Sequence, residues 1–333
     1  MKAAQISRYS KNINFDMNNV PQPTISETDV LIKTKFAAVN PLDLMTIHGS
    51  VKFIQSYAMP LTLGNEVVGT IIAAGSKVTD FDIGDVIYAR LPLTKIGAFA
   101  EYVSVDSNAI SKIPKNLNPM QAAAIPLTGL TAYQALTEAL QVMPNKTLFI
   151  AGGSGGFGQV AVPIAKSFGL KVIVSGNSRS KEKILRLGAD QYIDFRQENY
   201  WEALHDIDYV IDTLGSKEIE REMSIMKPGG KIVSLAAGPN LQFAKSNNLS
   251  IWQQLLFKIS GSKLDKAAMN HHVTYKFIFV RSDGNQLKKI TTIVERENIV
   301  PGINDRVFSF EELKSALSLV DKGGANGKVV VKF

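Results

Sequence analysis

The amino-acid sequence predicts an α/β protein built from a β-rich part and a doubly wound parallel sheet. Short β-branched or alternating segments fill residues 1–110, and strand-like and helix-like segments alternate over 147–280. A chain of 333 residues is long enough for two parts that each bury a core. A strand-like segment, 327–333, comes last. We expect it to return to the β-rich part, which is then discontinuous.

Five strands are predicted in the β-rich part, with prolines and glycines between them. Short strands separated by turn residues are typical of a compact β-barrel or β-sandwich. The predicted strands are KAAQIS (2–7), DVLIKTKFAAV (29–39), EVVGTIIAAG (66–75), DVIYAR (85–90) and FAEYVSV (99–105).

Helical spacing begins after the β-rich part. Residues 118–140 carry Ala, Leu and Gln at that spacing, and we expect Pro126 and Gly129 to interrupt the helix. Two more helices are predicted at 282–298 and 310–323.

Six strands alternate with helices in the middle of the chain. Strands joined through helices need right-handed crossovers, so they predict a parallel sheet of the dinucleotide-binding type. The strands are predicted at 147–152, 171–176, 191–195, 209–214, 231–236 and 276–280, and the helices near 157–168, 180–187, 198–205 and 217–226.

The composition excludes several classes of protein. Cysteine is absent, which excludes disulfides, thiolate nucleophiles and zinc sites built with sulfur. The first residues do not resemble a signal peptide, and no apolar stretch approaches the roughly 18 residues that span a bilayer. We therefore expect a cytoplasmic location and no membrane partner. The formal net charge of +7 is scattered along the chain, which favours a phosphate-bearing small molecule over nucleic acid.

A glycine-rich loop follows the first strand of the predicted parallel sheet and opens a helix. Without side chains, its backbone can approach a diphosphate at the helix N-terminus. The alternative is a glycine-rich turn without a ligand, which the two flanking elements make the weaker interpretation. The loop residues are Gly153, Ser154, Gly155, Gly156, Phe157 and Gly158.

The end of the next strand predicts which nicotinamide cofactor binds. NAD sites place Asp or Glu on the ribose about 20 residues after the glycine loop, and no acid stands there in this chain. Guanidinium and hydroxyl groups bind a 2′-phosphate instead. We therefore predict NADPH, although Arg179 could also be only a solvated cation. The candidate residues are Ser175, Asn177, Ser178, Arg179 and Ser180.

Together these motifs resemble the medium-chain dehydrogenase/reductase superfamily, in its zinc-independent quinone oxidoreductase and enone reductase branch. The resemblance covers essentially the whole chain. It is carried by AAVNPLD (37–43), LGNEVVG (63–69), GDVIYA (84–89), GAFAEYV (97–103), PLTGLTAYQAL (126–136), AGGSGGFG (151–158), LGAD (187–190), KPGGKIV (227–233) and NGKVVVKF (326–333).

The resemblance implies the domain organisation. Residues 1–120 and 281–333 correspond to a β-rich, GroES-like catalytic domain. Residues 121–280 correspond to an NADP-binding Rossmann domain.

The resemblance also implies metal-independent chemistry. Relatives that use zinc carry a cysteine at the position of Asn40 and a histidine at that of Asn65, and amides are poor zinc ligands. The implied reaction is hydride transfer from NADPH to a quinone or an α,β-unsaturated carbonyl. The alternative is a non-catalytic NADPH-binding sensor or structural protein.

Several residues take their expected roles from the resemblance. Asn40 and Asp43 correspond to positions beside the nicotinamide and the substrate, although Asp43 could equally only hold its loop. Thr128 is the third catalytic candidate, and further cofactor contacts are expected at Leu214, Asn326 and Lys328.

Two departures from the family leave the proton donor open. Some relatives place Lys or Tyr where this chain has Met45, and a tyrosine beside the adenosine where it has Phe195. Water, Tyr57, Tyr88 and His48 remain candidate donors.

Two expectations concern surfaces. The connection 239–272 is long, and its Trp252, Leu255, Leu256 and Phe257 either cover an apolar acceptor or pack as helix core, which we favour. YKFIFV (275–280) should be an edge strand, and an apolar edge predicts a homodimer with a continuous sheet.

Overall fold

A computed structural model describes residues 1–323 and 325–333. The chain forms two compact units. The first unit comprises Met1–Leu130 with Arg281–Phe333, and the second comprises Thr131–Val280. The predicted domains, 1–120 with 281–333 and 121–280, remain a prediction.

The N-terminal part of the first unit is mostly β-structure. Its strands are β1 (Lys2–Ile6), β2 (Asp16–Asn19), β3 (Asp29–Val39), β4 (Leu61–Thr62), β5 (Glu66–Ala74), β6 (Val86–Arg90), β7 (Tyr102–Asp106) and β8 (Ile110–Lys112), and its helices are α1 (Pro41–Ile47), α2 (Pro119–Ala122) and α3 (Pro126–Gln134).

The second unit alternates strands and helices after a π-helix, Ala135–Leu140. Its strands are β9 (Thr147–Ala151), β10 (Lys171–Gly176), β11 (Gln191–Asp194), β12 (Ile207–Asp212), β13 (Met226–Ser234) and β14 (Thr274–Phe277), and its helices are α4 (Gly156–Ser167), α5 (Lys181–Arg186), α6 (Tyr200–Ala203), α7 (Ile219–Ser224), α8 (Leu241–Ser246), α9 (Ile251–Ser260) and α10 (Ser262–Asn270).

The C-terminal part of the first unit closes its sheet. Strand β3 lies in the middle and pairs with β5, β7 and the last strand. The last strand pairs antiparallel to β3, with Val329 opposite Val39, so the predicted return is confirmed. The C-terminal elements are α11 (Gly284–Arg296), β15 (Phe308–Ser309), α12 (Leu313–Lys322) and β16 (Val329–Lys332).

Each unit has its own apolar core. In the first unit, Val30, Ile32, Val67 and Ile87 pack together with the last strand. The sheet order there is β15-β16-β3-β5-β6-β8, with β7 beside β3, and a smaller sheet has the order β2-β1-β4.

The second unit is a parallel sheet with the order β11-β10-β9-β12-β13-β14. This confirms the predicted α/β fold class, with a β-rich unit and a doubly wound sheet. It also confirms that β14 is an edge strand. The order reverses between β10 and β12, on either side of β9, and parallel sheets of this kind bind ligands at such a switch point.

The helix predicted over 118–140 differs from the structure at Gly129. Pro126 begins α3, but the helix runs through Gly129, so the predicted break there is wrong. A Cβ at Gly129 would lie 3.1 Å from Ile290 Cγ2 of α11. The glycine therefore allows two helices to approach closely rather than ending one.

The connection 239–272 forms three helices, α8, α9 and α10. Phe257 is buried, and its ring lies 6.4 Å from that of Phe243. Trp252 and Leu255, in contrast, are 57% and 58% exposed. Core packing is therefore the wrong interpretation for these two residues.

Candidate active site

A buried polar cluster lies in the first unit. Its members come from strand ends and helix starts that the β3-centred sheet brings together. Each is at most 9% exposed, and they are Asn40, Asp43, Asn65, Glu66, Thr128 and Lys328. The structure thus brings together all three catalytic candidates, which are Asn40, Asp43 and Thr128. Lys328, which was expected as a cofactor contact, lies in the same cluster.

The NPLD sequence positions Asp43 by starting a helix. Asn40 is the N-cap of α1 and Pro41 its first residue, a position that tolerates proline because no N–H is needed there. Asp43 Oδ2 accepts the backbone N–H of Asn40 at 2.7 Å, as in a capping box. Its Oδ1 accepts from Asn65 Nδ2 at 2.6 Å. Both carboxyl oxygens are therefore fixed.

The protonation of Asp43 is sensitive to this environment. Burial raises the pKa of Asp43 to about 7, against the lowering effect of the N–H groups of Asn65 and Asn40. The charge of Glu66 also raises this pKa, and that of Lys328 lowers it. Asp43 consequently changes charge in the neutral pH range.

Lys328 and Glu66 form a buried ion pair with all their hydrogen bonds made. Lys328 Nζ lies 2.8 Å from Glu66 Oε1 and donates to Thr128 Oγ1 at 3.1 Å and to Asn40 Oδ1. Glu66 also accepts from Asn40 Nδ2 and from the backbone N–H of Leu127, each at 2.8 Å. A buried ion pair requires such additional bonds, because desolvation is costly. The pair fixes the Asn40 and Thr128 side chains.

Arg90 is a site residue that the sequence analysis missed. It ends β6 opposite Glu66 and is fully buried. Its Nη1 donates to the carbonyl of Leu91, but Nε and Nη2 meet no acceptor among residues 1–323 and 325–333. Burial lowers the pKa of Arg90 to about 10, so it stays charged at neutral pH. The signal was an arginine inside an apolar strand, DVIYARLPL.

Asn65 also keeps one unsatisfied atom. Its Oδ1 is buried and has no hydrogen-bond partner within the part of the chain that the structure describes. Buried polar atoms are almost always paired, and a role in catalysis is one of the explanations for an exception. Among the described residues, Thr70, Asn116 and Glu222 also have unsatisfied buried atoms, so it is the grouping of Asn65 with Asn40, Asp43, Thr128 and the buried ion pair that makes this cluster the candidate active site.

The candidate proton donors differ in availability. Tyr88 is buried, and its hydroxyl lies 2.7 Å from Thr291 Oγ1 of α11. Tyr57 is half-buried, and burial raises its pKa to about 12, against the lowering effect of the Arg90 charge. It therefore holds its proton at neutral pH. His48 ends α1 and is half-buried, and Met45 is 40% exposed.

The glycine loop of the second unit fits a diphosphate. It runs from β9 into the twelve-residue helix α4, whose N-cap is Gly155. A Cβ at Gly158 would lie 1.7 Å from the Gly153 carbonyl oxygen, so only glycine fits there. A Cβ at Gly155 would meet no atom within 4 Å, so space remains beside the helix N-terminus. Gly156, Phe157 and Ser154 complete the loop.

The predicted 2′-phosphate residues divide into two groups. Ser175 is buried and Asn177 half-buried. Ser175 Oγ accepts the N–H of Gly152 at 3.1 Å, and Asn177 accepts from Tyr192 Oη at 2.6 Å through its backbone carbonyl. These two residues hold the loop. Ser178 and Arg179 are exposed in a short 3-10 turn with Ser180 and are accessible to a ligand.

The remaining predicted cofactor contacts lie in different places. Leu214 is 47% exposed, and its Cδ2 would lie 2.5 Å from a Cβ at Gly152, so it borders the glycine loop. Lys328 lies in the polar cluster, and its contact with a cofactor stays a prediction. Asn326 is exposed and is not part of that cluster. Phe195 is 57% exposed and borders a groove of about 380 Å³ in the second unit.

Between 1 and 323 and between 325 and 333, no three His, Asp or Glu side chains are grouped so that they could hold a metal ion. In the same ranges, no helix has the length and apolar character needed to cross a membrane.

Comparison with known protein families identifies both parts of the chain. Residues 26–115 match the family described as alcohol dehydrogenase GroES-like domain. Residues 187–331 match the family described as zinc-binding dehydrogenase, although this chain has no cysteine.

Individual relatives extend these matches over nearly the whole chain. The 2-methylene-furan-3-one reductase of Solanum lycopersicum is 30% identical over 94% of this chain and 74% of its own length. The NAD(P)H oxidoreductase RTN4IP1, mitochondrial, of Danio rerio is 29% identical over 100% and 91%. The quinone oxidoreductase from Coxiella burnetii has a similar structure, with a TM-score of 0.84 and 27% identity over 100% and 99% of the two chains. The chain therefore belongs to the medium-chain dehydrogenase/reductase superfamily, in its quinone oxidoreductase and enone reductase branch.

Proposed function

We propose that the protein is an NADPH-dependent, metal-independent reductase of quinones or α,β-unsaturated carbonyl compounds. The observation that carries this proposal is the buried polar cluster that includes Asn40 and Asn65, the two positions where the resemblance places zinc ligands in zinc-using relatives, together with buried Arg90 and its two unsatisfied donors. Amides cannot replace the ligands of a catalytic zinc ion. The acceptor must therefore be electrophilic without a metal, as quinones and enones are.

The residues of the cluster supply electrostatics and positioning. A bound nicotinamide cofactor supplies the hydride. Reduction of a conjugated carbonyl places negative charge on its oxygen, and fixed donors and positive charge in a water-poor site stabilise it. Arg90 supplies this positive charge, because the charge of Lys328 is balanced by Glu66 at 2.8 Å. Asp43 holds the side chain of Asn65 and the backbone of Asn40 in place.

The acceptor also needs a proton. We propose that Tyr57 donates it, because it is half-buried and, although burial raises its pKa to about 12, the Arg90 charge favours release of its proton. Tyr88 is a poorer candidate, since its hydroxyl is tied to α11.

The choice of NADPH rests on the turn after β10. Ser178 and Arg179 are exposed there, and no carboxylate stands in the turn to repel a 2′-phosphate. The names of relatives support the nicotinamide cofactor and the acceptor class, since they include a furanone reductase, an NAD(P)H oxidoreductase and a quinone oxidoreductase.

Acceptor-dependent oxidation of NADPH tests the proposal. We expect turnover with members of a panel of quinones and enones and none with simple alcohols or saturated aldehydes. Binding of NADPH should be measured in parallel by fluorescence. Binding without turnover of any acceptor would instead support a non-catalytic NADPH-binding sensor or structural protein.

Assembly and location are also proposals. Edge strand β14 favours a homodimer that continues the parallel sheet, and light scattering at micromolar concentration would show a monomer if this is wrong. We propose a cytoplasmic location, and cell fractionation should compare it with mitochondria because the Danio rerio relative is named mitochondrial.

A further inference from the structure

Helix α9 presents an apolar face to solvent. Ile251, Leu255 and Ile259 are spaced four residues apart, so they form one row along the helix. They are 85%, 58% and 67% exposed, and Trp252 beside them is 57% exposed. We call Ile251, Leu255 and Ile259 the apolar row. Single exposed apolar residues are common on proteins, whereas a contiguous patch marks an interaction surface.

The opposite face of α9 is anchored within its own unit. Phe257 is 6% exposed and packs edge-on against Phe243 of α8, with ring centroids 6.4 Å apart. The helix is therefore fixed by one face while the apolar row points outward. The apolar row is therefore exposed while the helix stays packed on its own unit.

The surroundings of the apolar row are basic. Segment 239–272 contains four lysines and one acid, Asp265, which gives it a formal charge of 4 − 1 = +3 out of +7 for the chain. Asp265 accepts from Asn240 Nδ2 at 2.6 Å, so it is engaged within the segment. All four lysines are exposed. They are Lys245, Lys258, Lys263 and Lys266.

We propose that segment 239–272 binds the surface of a bilayer that contains anionic lipids, in place of the expectation from the sequence that there is no membrane partner. The apolar row enters the boundary between headgroups and acyl chains, and the lysines contact the anionic headgroups. Apolar residues with a tryptophan on one face and lysines around them are typical of helices that lie in this interface. Helix α9 has ten residues, so it covers about 15 Å of the surface.

The charge decides between this partner and a second copy of the chain. Two copies that paired through α9 would bring two segments of charge +3 together, which is unfavourable. Anionic lipid complements both the charge and the apolar row. The inference is independent of the proposed catalytic function, because it requires neither a cofactor nor a substrate.

Vesicle sedimentation tests this inference. Full-length protein should bind vesicles of mixed phosphatidylcholine and phosphatidylserine, should bind phosphatidylcholine vesicles much more weakly, and should be released by salt. Replacing the apolar row together, as Ile251→Ser, Leu255→Ser and Ile259→Ser, should weaken binding about tenfold or more, since each lost side chain removes inserted apolar area. These residues are exposed, so the fold should be unaffected, and thermal unfolding checks this.

Two control variants separate the contributions. Ile83→Ser removes another apolar side chain that is 70% exposed, in the first unit, and should leave binding unchanged. Lys258→Glu with Lys266→Glu should abolish the preference for phosphatidylserine. The proposal is overturned if the wild type does not bind the mixed vesicles, or if the triple serine variant binds them equally well. It is also overturned if the triple serine change only dissociates a dimer in solution or only raises the KM for apolar acceptors.

Discussion

Asp43 has a proton equilibrium that its burial moves into the neutral pH range. Its pKa is 3.8 in the absence of the protein environment and about 7 in the folded chain. Between these two values the unfolded chain releases a proton that the folded chain keeps, so Asp43 lowers stability as pH rises through this range. Above about pH 7 the loss is complete, and below about pH 4 it is absent.

Asp43→Asn should remove this pH dependence. The difference between the free energies of unfolding, variant minus wild type, should increase by up to about 4 kcal/mol between pH 4 and pH 8. This estimate follows because a shift of one pKa unit corresponds to about 1.4 kcal/mol. Denaturant titrations across this range measure the difference. In activity, a kcat/KM inflection near neutral pH should be present in the wild type and absent in the variant. A constant difference in stability at all pH values would show that Asp43 does not titrate there.

Arg90→Met should separate stability from activity. Removing an uncompensated buried charge should leave the melting temperature equal or higher, whereas kcat should fall about a hundredfold, since it removes the charge that stabilises the acceptor oxygen. Arg90→Lys should retain part of the activity, and Arg8→Met, at an exposed arginine, should change neither quantity. A large loss of stability with unchanged kcat in the folded fraction would assign Arg90 a purely structural role.

Gly155→Ala tests whether the glycine loop binds the diphosphate of the cofactor. Gly155 has an extended backbone and open space around a Cβ, so alanine should leave the melting temperature unchanged. The added methyl group would occupy the space beside the N-terminus of α4, and NADPH affinity should fall about tenfold or more. Titration calorimetry with both cofactors measures this. Unchanged affinity would place the diphosphate elsewhere.

Arg179→Ala tests the turn after β10. NADPH should bind about ten- to a hundredfold more weakly, and NADH should be almost unaffected, because only NADPH carries the 2′-phosphate. The loss should shrink at high salt, since Arg179 is exposed. Arg186→Ala, at an exposed arginine of α5, is the matched control. Equal losses for both cofactors would mean that Arg179 only shapes the turn.

Elements with a strong local signal could be predicted from the sequence. The longest strand, β3, and all six strands of the parallel sheet were predicted from short apolar runs, although β14 overlaps the predicted 276–280 by only two residues. Strand β2, with the sequence DMNN, and the two-residue β4 have no such signal, since only tertiary pairing makes them strands. The predicted helix break at Gly129 was wrong for the same reason. Ile290, which packs against Gly129, is distant from it in the sequence.

The candidate site shows the same division. Asn40, Asp43 and Thr128 came from a resemblance to known sequences, and the structure places them in one cluster. The ion pair of Glu66 with Lys328 could not be predicted from local patterns, and the burial of Arg90 was missed although apolar residues flank it in the sequence. These contacts depend on how distant strands align in the sheet of the first unit, which no short stretch of sequence encodes.

We predict that neither the stability nor the activity of the protein depends on a metal ion. Treatment with a strong chelator should change neither the melting temperature nor the rate of acceptor reduction, because the chain lacks cysteine and has asparagines, Asn40 and Asn65, where the resemblance places ligands of zinc-using relatives. Elemental analysis of the purified protein should accompany the assay. Stoichiometric zinc that is lost together with activity would show that a different set of ligands holds a metal.

The contact between Lys328 and Asn40 spans 288 residues, and it has a consequence for synthesis on the ribosome. Glu66 and Asn40 leave the exit tunnel long before Lys328 is translated, and the second unit is made in between. Until β16 is added, the Glu66 carboxylate has no ammonium partner, and its burial is unfavourable. The polar cluster is therefore completed late in translation. A chain that ends before residue 328 contains the whole second unit but lacks Lys328 of the polar cluster, so we expect it to retain cofactor binding and to lose the proposed reductase activity.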